Sequence, residues 1–212
     1  MIHLSRIGIS LAVVIAAALW AMHFWIFEDR LITWADVAPF SFVVGILVII
    51  GLVFEYLLWR KKFVNQLLDR PDIRGTWKCE MVPNHRDKET GEPIPPINCF
   101  VAVTQSFSTL QLHVMTPESQ SWLIASDIRK SQKGSGYQIV GVYTNQPGVH
   151  VRERSPIHRG TVWLETHGSD WQPESMTGEY WTDRETIGSM SLTDCKDKIF
   201  SRFDEAEAFF GK

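Results

Sequence analysis

Two membrane-crossing helices, then an all-β, eight-stranded antiparallel up-and-down barrel with a short C-terminal helix, is the fold class that this 212-residue sequence predicts. Three observations predict it. Two long apolar runs, nearly free of charge, lie before Trp59. Beyond Pro71 the apolar residues stop running together and begin to alternate, with β-branched and aromatic residues and frequent turn signals. No helical pattern interrupts those alternating segments until Lys198.

The charges divide at the same place. Residues 1–70 carry 6 basic and 5 acidic side chains, and the rest carry 15 and 19. An acidic second half argues against a grip on polymeric nucleic acid, which needs many phosphate-neutralising Lys and Arg side chains. The apolar runs exclude a simple soluble enzyme. The three cysteines, Cys79, Cys99 and Cys195, form no CxxC pair. An odd set suits neither a disulfide framework nor a zinc site, and it agrees with a reducing compartment.

In chain order, the first run is Ile7–Phe27, with His23 its one ionisable residue. At about 1.5 Å per residue it crosses a hydrocarbon core of roughly 30 Å. It ends in Trp25, Ile26 and Phe27, where a signal peptide would carry a small-residue cleavage site. The second run is Val37–Trp59, and the connection Glu28–Asp36 is too short for a domain. Residues 1–62 therefore read as a transmembrane hairpin. His3 and Arg6 precede it and Arg60, Lys61 and Lys62 follow it, so both termini are expected in the cytoplasm. Trp25, Trp34 and Trp59 suit interfacial anchors. Gly8, Ala12 and Ala16 either form a ladder of small residues that lets helices pack closely or reflect only how common alanine is in such helices. Glu55, about one turn from the cytosolic end of the second span, either meets a partner in assembly or snorkels toward Arg60 and Lys62.

Residues 63–70 should continue the second helix as a linker until Pro71 stops it. Eight strands are expected over 71–197: Arg74–Val82, Ile97–Ser106, Leu110–Met115, Gln120–Ile128, Gly136–Asn145, Gly160–His167, Ser175–Thr182 and Thr186–Thr193. Turn chemistry separates them, for instance Thr116-Pro117, Lys133-Gly134-Ser135-Gly136 and Gln146-Pro147-Gly148. Residues 198–212 close the chain with an amphipathic helix over Lys198–Phe210, which could lie on the barrel or return to the membrane. Eight short strands without intervening helices suit a closed barrel, whose interior holds side chains or one small ligand.

Period-2 alternation assigns the faces. Trp77, Cys79 and Met81 should point inward, with Thr76, Lys78 and Glu80 outward. Leu110, Leu112 and Val114, and Met190 with Leu192, make further inward rows. Tyr137, Ile139, Gly141, Tyr143 and Asn145 share one face, as do Gly178, Tyr180 and Thr182. Rows that carry phenols, an amide and a hydroxyl point to a polar ligand.

No catalytic constellation is present: there is no HExxH, GxSxG, GxxxxGK or GxGxxG, and the histidines lack metal-like spacing. An enzyme, a metal and a cofactor are not expected. The stretch GVHVRERSPIHR places Arg152, Arg154 and Arg159 with His150 and His158 in one loop of an acidic domain. The turn around Arg184 adds another guanidinium beside Thr182 and Thr186. Such groups hold phosphates through charge-assisted, often bidentate bonds, though solvated loops also carry them. The ligand-binding candidates are Tyr137, Tyr143, Asn145, Arg154, Arg159, Tyr180, Thr182 and Arg184.

Two amino-terminal spans, a basic flank, DIRGTWKCE at the start of a compact barrel and GEYWTDRETIGSMSL at its end resemble one family. These are the CD-NTase-associated transmembrane β-barrel effectors of bacterial CBASS anti-phage systems. The resemblance implies a barrel that binds a cyclic dinucleotide or related cyclic oligonucleotide made by a partner enzyme. It further implies self-association and damage to the lipid of the inner membrane. Gly75-x-Trp77 also opens lipocalin-like barrels, so a membrane-anchored carrier of a lipid or small apolar ligand is the alternative, as is a barrel that binds another protein. A lipid carrier should keep Tyr143, Asn145, Tyr180 and Thr182 out of its cavity.

Overall fold

A computed structural model describes residues 2–27, 33–84, 86, 91–132 and 135–211, with the side chains of 2–12, 27 and 34–41 outside that description. The charged connection at Glu28, Asp29 and Arg30, and the turn residues Lys133 and Gly134, lie outside the described residues. The chain forms two compact units. One gathers residues 1–60 and 106–109, and the other gathers 61–105 and 110–212.

In the first unit, α1 spans Ile2–Phe27 and α2 spans Trp34–Tyr56. Gly8 and Ala12 lie on the backbone of α1, and Ala16 is exposed there. The helical stretch Phe42–Arg60, which begins in α2 and runs past its end, has a mean hydropathy of 2.5 and the length to cross a membrane; Val13–Ile26 is a shorter apolar stretch of α1. The expected continuous helix through Asp69 is interrupted. A 3₁₀ turn at Leu58–Arg60 follows α2, and a separate six-residue helix, α3, runs Lys62–Leu67 in the second unit. Trp59, expected at an interface, is fully buried instead.

Glu55 neither snorkels nor stands free. Its carboxylate accepts hydrogen bonds from the Ser106 hydroxyl, the Ser108 hydroxyl (2.6 Å) and the Ser108 N–H (3.1 Å). The Glu55 carbonyl accepts the Phe107 N–H, and the rings of Phe54 and Phe107 meet edge-on at 5.0 Å. The turn 106–109 thus supplies a donor to the Glu55 carbonyl in the last turn of α2, where carbonyls have no partner within the helix itself.

In the second unit the barrel is closed, antiparallel and ordered as the chain runs: β1 (Gly75–Pro83), β2 (Ile97–Gln105), β3 (Leu110–Met115), β4 (Ser119–Lys130), β5 (Tyr137–Pro147), β6 (His158–Gly168), β7 (Pro173–Thr182) and β8 (Ile187–Lys196). β8 returns to pair with β1, with Met190 opposite Met81 and Leu192 opposite Cys79. Alternation places the core as expected. Trp77, Cys79, Leu110, Leu112, Met190 and Leu192 are buried together, with Met81 and Val114 packed against them. Ile73 and Trp77 fill the end at which the chain enters the barrel, and the Trp77 Nε1–H donates to the Ile73 carbonyl at 2.9 Å. That end is packed solid, with Ile139, Leu164 and Met176 also fully buried.

One outward-facing residue is not exposed. Thr76 points outward, as Lys78 does, yet it is fully buried. Its hydroxyl donates to the Lys198 carbonyl at 2.7 Å and accepts the Phe200 N–H at 3.2 Å. The C-terminal segment lies on the outside of the barrel there, and Phe100, Ala102, Met115, Phe200 and Ala206 form a second buried cluster. The final helix, α4, is shorter than expected: it covers Phe203–Phe210, and Lys198–Arg202 runs non-helically along β1 to reach it. Of the two placements open to this helix, the barrel wall is the one observed.

Candidate functional site

The opposite end of the barrel is hollow. Short inward side chains and two glycines at the strand ends there leave a cavity of about 820 Å³, within the range of small-molecule sites. Its floor is apolar, from Leu112, Val114, Leu123, Val162 and Met190, and its rim is polar. Six of the eight expected ligand-binding residues line it: Tyr143, Asn145, Arg154, Tyr180, Thr182 and Arg184.

Each tyrosine lies over a glycine of the neighbouring strand. Tyr143 pairs with Gly160, and Tyr180 pairs with Gly188. A β-carbon at Gly160 would come 2.5 Å from the Tyr143 ring and hydroxyl, and one at Gly188 would come 2.6 Å from Tyr180 Cε1 and Oη. The missing side chains let the rings lie across the wall instead of filling the space. Burial pushes both phenols above the ordinary tyrosine range. They are therefore neutral hydrogen-bond donors at physiological pH, suited to anionic oxygen.

The rim is tied together by side chains that a ligand could displace. Arg154 pairs with Glu118 of the β3–β4 turn at 2.5 Å, with both side chains more than half exposed. An exposed pair of this kind contributes only about 0–1 kcal/mol, so a phosphate can take the guanidinium at small cost. The Arg184 Nη1 donates to the Ser155 hydroxyl at 2.9 Å, which links the β7–β8 hairpin to the β5–β6 loop. That hairpin is shaped by Thr182, whose hydroxyl accepts the Arg184 N–H and lies 2.7 Å from the Thr186 hydroxyl. Glu118 and Glu153 also face the cavity, so the rim is mixed in sign.

Two expected residues fall elsewhere. Tyr137 shares the inward face of β5, but six residues at about 3.3 Å each place it roughly 20 Å from Tyr143, in the packed end. Arg159 is not a loop residue. β6 begins at His158, so alternation turns His158 inward and the exposed Arg159 outward, with its N–H bonded to Asp183. Ser121 and His158 line the cavity and were not among the candidates. Extending the alternation of Gly160 and Val162 two residues back would have found His158.

The family model for the Cap15, cyclic dinucleotide receptor domain matches residues 68–194, from ahead of β1 into β8. The chain belongs to this family. Two curated relatives agree with the resemblance read from the spans and barrel motifs. A CD-NTase-associated protein 15 of Staphylococcus schleiferi is 26% identical over 166 residues, covering 78% of this chain and 82% of that protein. Another, of Yersinia aleksiciae, is 27% identical over 142 residues, covering 66% of this chain and 63% of its own.

Proposed function

We propose that this chain is a membrane-anchored CBASS effector whose barrel cavity receives a cyclic dinucleotide and whose α1–α2 hairpin then acts on the bacterial inner membrane. The observation that carries the reading is the cavity, with Tyr143, Tyr180, Arg154 and Arg184 on its walls, inside the segment matched by a cyclic dinucleotide receptor domain. Such a ligand has two phosphates and two flat bases. Guanidinium groups and phenols suit the phosphates, and aromatic faces suit the bases. Few cations are needed for a dianion, in keeping with an acidic domain.

The carrier alternative is disfavoured by the side chains at the cavity wall. Tyr143, Asn145, Tyr180 and Thr182 all face it, and a lipid tail would offer no partner to the two phenols or to the remaining N–H and lone pair of the amide. No reaction is assigned to the site; the role is binding.

In this reading both α1 and α2 span, the basic flank after α2 stays in the cytoplasm, and ligand-bound barrels gather. Lipid tails give helices no hydrophobic push to associate, so helix contacts such as the Gly8–Ala12–Ala16 ladder would decide assembly once local concentration rises. Dye leakage from cells making the nucleotide tests this. The native chain should leak, and a version with residues 7–54 replaced by a poly-leucine hairpin, keeping Glu55, should not. Equal leakage from both would reduce the spans to a tether.

A further inference from the structure

Three side chains stand directly opposite one another on the inner wall, one from each of three adjacent strands. Ser121 of β4 is in register with Asn145 of β5, and Asn145 with His158 of β6. All three line the cavity. The Ser121 hydroxyl donates to Asn145 Oδ1 at 3.1 Å, Asn145 Nδ2 lies 3.3 Å from His158 Nε2, and His158 Nδ1 lies 3.0 Å from the Pro156 carbonyl.

The chemistry fixes every direction in this row. A carbonyl only accepts, so His158 Nδ1 carries the proton. In the neutral ring that leaves Nε2 a lone pair, which accepts an N–H of Asn145. The Asn145 amide must then keep its nitrogen toward β6 and its oxygen toward β4, where the Ser121 hydroxyl donates. One N–H and one lone pair of the amide remain, side by side, with its orientation fixed.

Such an edge distinguishes bases by the group on the ring. Adenine and cytosine pair an exocyclic amino donor with a ring-nitrogen acceptor; hypoxanthine and uracil reverse the order, with a carbonyl acceptor and a ring N–H donor. A freely turning amide suits both. A fixed amide suits one. We infer that Asn145, held by Ser121 and His158, reads one base of the ligand and separates amino bases from keto bases. The inference rests on the cavity being the cyclic dinucleotide site. Asn145 is then the specificity-determining residue, and Ser121 and His158 are positioning residues that act through it.

The experiment titrates the full chain in detergent with two pairs of 3′–5′ cyclic dinucleotides, adenine against hypoxanthine and cytosine against uracil. Size is constant within each pair. A bidentate amide–base pair discriminates by about 1–3 kcal/mol, roughly 5- to 150-fold in affinity. The native chain should therefore favour one member of at least one pair by more than fivefold. Asn145→Leu should bring that ratio within twofold, and so should Ser121→Ala with His158→Leu, which frees the amide to turn. Asn145→Asp keeps the shape but offers two like acceptors, and each base presents one donor and one acceptor, so its ratio should fall to within twofold even if overall affinity falls. Arg184→Ala should weaken all four ligands alike and leave the ratio unchanged. Variants are compared only if they melt cooperatively, and Asn145→Asp, closest in shape, decides if the leucine variants do not fold. A native ratio within twofold for both pairs, or an Asn145→Asp ratio unchanged from native, overturns the inference while the receptor reading stands. Binding of none of the four overturns both.

Discussion

Gly160 and Gly188 shape the cavity as much as the tyrosines that lie on them. Alanine at Gly160 would place a methyl 2.5 Å from the Tyr143 ring and 2.6 Å from the Trp181 carbonyl, and the second neighbour is backbone that cannot swing away. Overpacking of this kind typically costs about 1–3 kcal/mol. Gly160→Ala is therefore expected to lower the melting temperature and to weaken nucleotide binding at least tenfold, because the displaced ring enters the cavity. Tyr143→Phe, by contrast, removes one donor and leaves the ring in place; a loss of only about two- to tenfold is expected. Calorimetry on both variants separates ring position from hydroxyl. The thiols give a second residue-scale expectation. Burial pushes Cys195 up to about 12, and the hydrogen bond to Cys99 together with burial raises Cys79 well above its ordinary value. Because the thiolate is the nucleophile, both should stay protonated and unreactive at pH 7.5. Disulfide-exchange titration should find these two unlabelled in the native chain and all three cysteines labelled in denaturant. Rapid native labelling of Cys79 would contradict the packed interior.

The C-terminal segment explains why β2 reads as an unbroken apolar run. Phe100 and Ala102 face outward but are covered by Phe200, Ala206 and α4, while Cys99, Val101 and Val103 face the core. Phe200→Ala removes a side chain that is only 4% exposed, and a loss of about 3–5 kcal/mol is expected in urea unfolding. An unchanged midpoint would mean that α4 does not hold to the wall. The strands themselves were legible because a barrel buries one face: alternation at Trp77, Cys79 and Met81, or Leu110, Leu112 and Val114, identifies the inside without any partner being known. The bounds of β1–β8 differ from the sequence expectation by three residues at most, and those of β3 coincide with it. What alternation does not carry is burial of the outer face. The covering of Thr76 was not legible for that reason, since its partners Lys198 and Phe200 lie more than a hundred residues away in sequence. The break after Tyr56 and the capping of Glu55 by Ser106 and Ser108 were hidden for the same reason. Within the site, depth along a strand was the illegible quantity. Tyr137 and Tyr143 are equivalent by face, and only the closed end around Ile73 and Trp77 separates them.

At the scale of the whole molecule, a barrel packed solid at one end and hollow at the other forms a receptor with a single described mouth, ringed by Arg154, Arg184, Glu118 and Glu153. The apolar stretch Phe42–Arg60 belongs to a separate compact unit, so in the proposed function recognition and membrane action fall to different parts of the chain. The central claim is that the cavity binds a cyclic dinucleotide through its rim cations. Isothermal titration of cyclic dinucleotides into the detergent-solubilised full chain tests it most directly, with Arg184→Ala and Arg159→Ala side by side. Arg184 lines the cavity and Arg159 points away from it. Loss of a charged partner to a bound phosphate costs about 1.5–3 kcal/mol, ten- to a hundredfold in affinity. The native chain should bind, Arg184→Ala should fall by that factor, and Arg159→Ala should bind like the native chain. Absence of binding to the native chain, or equal losses in the two variants, would contradict the account.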